Sequence, residues 1–363
     1  MKKAMVPLAA AAMLTLALSG WNVGSTASSG LRPAAKVAHK KANVKMKTVD
    51  FIFTGYSYPY FSPMAQAVDE AASLYPHLNI KVISAHNSGS MEITEIKEAV
   101  ASGVKGIILN PVNGAVTAAA QAAMRHHIPV VTIDRDVTAP SARIAFIGDS
   151  DVKLGQIQTR YALKVLQARH VRPPWHVVVL QGTLGSSTAI DRLHGAMMVL
   201  RPLIKSGRVK VVLNQSANFA TNTAQQMMSE FLTKDSNVQL VIAGNDAMAL
   251  GAITAIQNEH LPLGKRVFVV GADAQPQSLT DVANGTQLDT VTHAPFIEAY
   301  WAVEAMANYL AHHIVPPARF KHHDIIIPMT LVTKANVHKI SAWGTPLVIP
   351  RLPYGRSFPH PLR

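Results

Sequence analysis

The stretch that decides the fold is Ile128-Pro129-Val130-Val131-Thr132-Ile133-Asp134-Arg135-Asp136, an apolar β-branched run that stops on a charged pair. Such a run reads as a strand buried on both faces of a parallel sheet. Its carboxyl end carries Asp134 and Arg135, and open α/β sheets take their ligands at that edge. Residues 48–54, 80–85 and 106–109 read as further strands, with helices over 62–74, 92–102 and 116–126 and a short strand at 145–147. The second half retraces the first. Strands at 177–180, 209–213, 239–243 and 267–270 precede Gln181-Gly182-Thr183, Gly244-Asn245-Asp246 and Gly271-Ala272-Asp273. Alternating strands and helices with right-handed crossovers send all strands the same way. The expectation is an α/β protein of two Rossmann-like, doubly wound parallel-sheet domains whose polar strand tips face each other across a cleft.

At 363 residues the chain is long enough for two domains, and only 15 % of it is charged, which suits buried parallel sheets. Lys2 and Lys3 precede a short apolar run over 5–18, the layout of a secretory signal, expected to span 1–26. Export to the periplasm or the outer face of the cell membrane follows. The run ends Leu16-Ala17-Leu18-Ser19-Gly20-Trp21 and resembles a bacterial lipoprotein signal, except that Trp21 stands where the acylated cysteine belongs. The chain has no cysteine, so no disulfide can staple it. Eleven of the thirteen net positive charges sit at the ends: Lys2 and Lys3, a basic, flexible stalk over 27–47, and a Pro-rich, irregular basic tail over 341–363 without fixed structure. The body between is close to neutral, which argues against nucleic acid as a partner.

Candidate contact residues lie after the strands. They are Tyr58, Tyr60 and Phe61 after the first, Asp134 and Arg135 after the fourth, Phe219, Asn245 and Asp273 at the matching points of the second half, and His293 on a crossing at 291–294. Planar rings stack on the C–H faces of a sugar, while Asp, Asn and the rigid Arg fork serve its hydroxyls. Each has a plainer reading. Tyr60 and Phe61 could be core aromatics, Asp134 and Arg135 a strand-end pair, and Asn245 a helix cap. For Asp246 capping is the favoured role. The pairs His126-His127, His312-His313 and His322-His323 point neighbours to different faces, so no metal site is expected, and no cofactor. Residues 182–187 look like a phosphate cradle but lack the lysine of a P-loop, and read as a strand-to-helix turn.

The segments Tyr58-Pro59-Tyr60-Phe61, Asn110-Pro111, Ile133-Asp134-Arg135, Leu180-Gln181-Gly182, Gly244-Asn245-Asp246-Ala247-Met248-Ala249-Leu250-Gly251 and Val270-Gly271-Ala272-Asp273 resemble the ribose-binding branch of the type I periplasmic binding proteins. The resemblance covers about residues 48–335 and implies two lobes, 48–148 plus 294–323 and 149–293 plus 324–340, joined by a three-segment hinge. It further implies a monomer that closes on a small sugar or polyol and delivers it to an ABC permease. Carried over by position, Tyr60 and Phe61 stack on the ligand, Asp134, Arg135, Asn245 and Asp273 meet its hydroxyls, and Phe219 forms the far wall. Three positions depart from the ribose binders: Tyr58 replaces Asn, Ile190 replaces a sugar-contacting Arg, and His293 replaces Gln. Losing a fork donor at Ile190, with Arg192 two residues on as a substitute, points to a less polar ligand than ribose. Presentation of the ligand to a chemoreceptor or sensor kinase is the alternative reading. A glycoside-cleaving enzyme, with Asp134 facing Asp273, is a weaker one.

Overall fold

The computed structural model describes residues 46–356; the signal, nearly all of the stalk and the end of the tail lie outside the described residues. In chain order the strands of the first lobe are β1 Lys47–Phe53, β2 Leu78–Ser84, β3 Gly106–Asn110, β4 Val130–Ile133 and β5 Ala145–Gly148. They alternate with helices α1 Phe61–Ala72, α2 Gly89–Ser102 and α3 Thr117–Arg125. Helix α4 Asp151–Ala168 opens the second lobe, followed by β6 Trp175–Gln181, α5 Ser187–Lys205, β7 Val209–Ser216, α6 Thr221–Lys234, β8 Leu240–Ala243, α7 Asp246–Asn258, β9 Phe268–Val270, α8 Pro276–Asn284 and β10 Asp289–Val291. Helix α9 Pro295–His312, β11 Asp324–Ile326 and β12 Leu331–Thr333 complete the regular elements.

The duplication is explicit in the sheets. One runs β11-β5-β4-β3-β1-β2 and the other β12-β10-β9-β8-β6-β7, the same order element for element. Every pairing is parallel except β10 with β12. Strands β3, β4, β5 and β8 are buried along their whole length, as their unbroken apolar runs require.

The chain crosses between the lobes after β5, after β10 and between β11 and β12. The expected boundary at 324 moves, because Asp324–Ile326 pair with Phe146–Gly148 and so extend the first sheet. A three-residue strand is too short to betray its sheet by periodicity.

The tail also departs from expectation, since residues 341–356 are not loose but lie against the body. Trp343, Ile349, Leu352 and Tyr354 are buried. The cause is α9, which is buried from Pro295 through Asn308 and therefore needs cover on its outer side as well as from the sheet. The segment supplies that cover with hydrogen bonds: Trp301 Nε1 donates to Pro350 O (2.6 Å), Leu352 N to Glu304 Oε2 (3.2 Å) and Arg356 N to Asn308 Oδ1 (2.9 Å).

Candidate functional site

All nine residues singled out in the sequence line one narrow space between the lobes, joined there by Thr188 and Arg192. The room inside it for a water-sized sphere is only about 30 Å³, enough for a water or two, so the walls stand close together. The lobes touch around it. Tyr58 Oη lies 3.4 Å from Thr183 Oγ1, Gly114 N donates to Gly185 O (3.1 Å), and Asp136 N donates to Ser187 Oγ (2.8 Å).

The acids stand where strand turns to loop. Asp134 follows β4 at φ 60° and Asp273 follows β9 at φ 105°, a left-handed backbone that non-glycine residues avoid unless the surroundings enforce it. The same strain at equivalent points of both halves marks where the duplicated plan delivers its polar groups. Asp134 Oδ2 accepts from Asn110 Nδ2 (2.8 Å), and Asn110 also bonds Thr54, so a buried amide at the tip of β3 holds it. Arg135 donates to Val112 O (3.0 Å) and its guanidinium lies over Phe61 (5.3 Å) and Phe219 (5.5 Å). Its buried Nε has no hydrogen-bond partner and stands 3.7 Å from Asp134 Oδ2.

Phe219 is held by backbone rather than by neighbours' size. It sits at φ 57° and its ring lies on Gly182, where a Cβ would come within 1.9 Å of the ring. Asn245 lines the space and also caps α7, its Oδ1 accepting from Met248 N (3.0 Å). Asp246, read from the sequence as the cap, instead accepts from Gln275 N, Gln287 Nε2 and Thr290 Oγ1 and staples α7 to the loops around β9 and β10.

The supposed loss of a guanidinium is overturned. Ile190 is 55 % exposed on the outer face of α5, whereas Arg192 is 4 % exposed and central. Its Nε donates to Asp151 (2.7 Å), Nη1 to Gly244 O (2.8 Å) and Asp273 Oδ1 (3.2 Å), and Nη2 to His293 Nδ1 (2.8 Å). The fork donor is present because α4 and α5 cross in near contact. A Cβ on Gly155 would meet Arg192 O at 2.1 Å, and one on Gly195 would meet Val152 O at 2.1 Å, and this approach brings Arg192 to Asp151.

His293 sits at the centre. Its ring stacks on Tyr60 (4.5 Å between centroids), and Nε2 lies 3.1 Å from Glu298 Oε1, 3.4 Å from Asp134 Oδ1 and 3.8 Å from Asp149 Oδ2. Burial disfavours its charged form, but Glu298 and Asp149 outweigh that and raise its affinity for a proton. Nδ1 faces both Arg192 Nη2 (2.8 Å), which can only donate, and Asp273 Oδ1 (3.3 Å), which can only accept, while Nε2 faces Glu298, so the ring sits between a cation and several carboxyls. Burial lifts Glu298 to about 7 and Asp149 well above the usual carboxylate range, and neither Asp149 oxygen has a hydrogen-bond partner. Asp134, His293 and Glu298 bring ligand atoms within 4.8 Å of one another, a spacing a metal ion could use. His293 Nε2 and Glu298 Oε1 are 3.1 Å apart and Tyr60 Oη donates to Glu298 Oε2 (2.9 Å), so the set is also part of one hydrogen-bond network.

Glu298, Asp149 and Asp151 support the site without having been singled out. Their signal was weak: two stand beside the first crossing, and Glu298 in the first turn of α9 resembles an ordinary helix-start acid.

Residues 49–313 match the periplasmic binding protein domain family. The chain belongs to it. As the sequence resemblance indicated, relatives in the ribose-binding branch align over most of their length. The ribose import binding protein RbsB of Salmonella typhimurium is 28 % identical over 257 residues, covering 70 % of this chain and 82 % of that one. The galactofuranose-binding protein YtfQ of Escherichia coli is 26 % identical over 241 residues, covering 64 % and 72 %. Among solved structures, a galactofuranose binding protein superposes with a TM-score of 0.73 at 24 % identity, covering 81 % of this chain and 96 % of that one. A solute binding protein from Bacillus halodurans with bound myo-inositol gives 0.72 at 24 % identity, covering 82 % and 98 %. This periplasmic binding protein family member is thus a binding protein and not an enzyme, and the glycoside-cleaving alternative falls away. No helix among its described residues is long and apolar enough to cross a membrane.

Proposed function

We propose that this protein is exported, works as a monomer, and closes its two lobes on one neutral, polyhydroxylated ring of monosaccharide size, a sugar or a cyclitol, which it delivers to an ABC importer. The observation that carries the reading is the charge balance of the cleft wall. Asp134 and Asp273 stand beside Arg135 and Arg192, so the wall offers closely paired donors and acceptors of both signs, as hydroxyls require, rather than a one-signed field for an ion. Phe61 and Phe219 supply apolar faces for the C–H side of such a ring. With Arg192 in the place left by Ile190, the argument for a less polar ligand no longer applies. Relatives named for ribose, galactofuranose and bound myo-inositol support the same class.

Ligand contacts made by both walls at once exist only in the closed form, so binding shifts the equilibrium between open and closed by that difference alone. A micromolar constant corresponds to about 8 kcal/mol, within reach of several charge-assisted bonds plus stacking. A thermal-shift panel tests the class. A pentose, hexose or cyclitol present at about 100 times its dissociation constant adds roughly 2.7 kcal/mol of stability. Stabilisation by sugar phosphates or amino acids alone would contradict the neutral-ring reading.

A further inference from the structure

We infer that residues 341–356 form a fourth connection between the lobes, one that holds the cleft closed, and that Trp343 is the positioning residue through which it acts on Tyr60. The segment lies beyond the family match, which ends at residue 313. It leaves the second lobe after β12 and packs near α8, where Trp343 N donates to Ala274 O (2.7 Å), directly after Asp273. Trp343 and Gly344 both take left-handed backbone, φ 61° and 64°, which turns the chain sharply towards Thr292 and the first lobe. The Trp343 and Tyr60 rings meet edge to face, with 5.7 Å between centroids. From Pro350 to Arg356 the segment is bonded to α9 of the first lobe through Trp301, Glu304 and Asn308. Its crossing therefore falls at 345–349.

This arrangement is coupled to the state of the hinge. Trp343 is pinned by its backbone to the second lobe and by its ring to Tyr60 of the first, and Tyr60 in turn stacks on His293 and donates to Glu298 (2.9 Å). Rotating the lobes apart separates Ala274 from Tyr60, so Trp343 must give up one of its contacts. A contact present in only one of two states stabilises that state. The segment thus biases the protein towards closure before any ligand arrives, and it sets the orientation of a ring in the cleft wall from outside the wall.

The absence of native cysteine makes the test direct. Met91→Cys on the first lobe and Ile190→Cys on the second, both at exposed positions, take spin labels for a pulsed-dipolar distance measurement on ligand-free protein. The full chain is expected to give a short, narrow distribution. Deleting residues 341–363, or Trp343→Ala, shifts it to longer distances, and Trp343→Phe restores the short one. If the deletion does not fold, the Trp343→Ala and Trp343→Phe pair decides. Unchanged distances in the folded deletion or in Trp343→Ala, or a lowered melting temperature with no change in distance, would overturn the inference, as would a full chain already open. The measurement uses no ligand, so its result is independent of which molecule the cleft takes.

Discussion

Replacing Arg192 by methionine removes a guanidinium that bonds Asp151, Gly244, Asp273 and His293 at 2.7–3.2 Å from a position 4 % exposed. Methionine fills much of the volume, so the loss is chiefly electrostatic. Asp151 and Asp273 are left buried without their cation, and breaking one side of a buried pair typically costs about 3–5 kcal/mol. Part is recovered if burial then protonates Asp151, whose carboxyl is already raised above its ordinary value by desolvation. We expect Arg192→Met to lose ~3 kcal/mol or more of a total of ~5–15 kcal/mol. Ile190→Ala, on the outer face of the same helix, should stay within about 0.5 kcal/mol. Urea denaturation followed by circular dichroism measures both. In a cycle with Asp151→Asn, the pair should couple by ~1–3 kcal/mol. A loss below ~1 kcal/mol for Arg192→Met, or a larger loss for Ile190→Ala, would refute the assignment of Arg192 as the guanidinium of this site.

Three further outcomes follow from the same geometry. Gly182→Ala places a methyl 1.9 Å from the Phe219 ring and forces it into the cleft; overpacking of ~1–3 kcal/mol should weaken ligand affinity about tenfold or more in calorimetric titration, and unchanged affinity would contradict the packing. Tyr60→Phe removes the 2.9 Å bond to Glu298, which should cost about 1.5–3 kcal/mol in denaturant unfolding and raise the Glu298 carboxyl further; no change in stability would show that bond to be unimportant. Burial lifts Glu92 to about 8 and Glu298 and Glu304 to about 7, against 4.5 in the unfolded chain. Folded-state values above the unfolded ones mean that this stabilisation is complete below pH 4.5 and is lost as pH rises through 7–8. The melting temperature should therefore fall between pH 5 and pH 8, and a rising profile would contradict these assignments.

Much of the site was legible because parallel strands announce their carboxyl ends. An apolar run that stops on Asp134-Arg135, and its counterpart before Asp273, locates a ligand edge without knowledge of any helix. Helical residues were harder. Ile190 and Arg192 differ by about 200° around α5, so an alignment slip of two residues exchanges the outer face for the cleft. Asn245 and Asp246 are adjacent and both suit a helix start, and only the bonds of Asp246 to Gln287 and Thr290 separate cap from staple. The segment 341–356 was misread because its three prolines and two arginines suit a loose basic tail, while its order comes from Trp343, Ile349, Leu352 and Tyr354 becoming buried against the body. Asp324–Ile326 escaped for a similar reason, since partnership with β5 leaves no local trace.

In the proposed function, the strand tips of two duplicated halves clamp one neutral, hydroxyl-rich ring between Asp134 and Asp273. Isothermal titration of wild-type protein, Asp134→Ala and Asp273→Ala with the sugar or cyclitol that most raises the melting temperature tests it most directly. Saturable one-to-one binding to the wild type is expected, and none detectable in either variant, each remaining folded by circular dichroism. Wild-type affinity retained in both variants would contradict it.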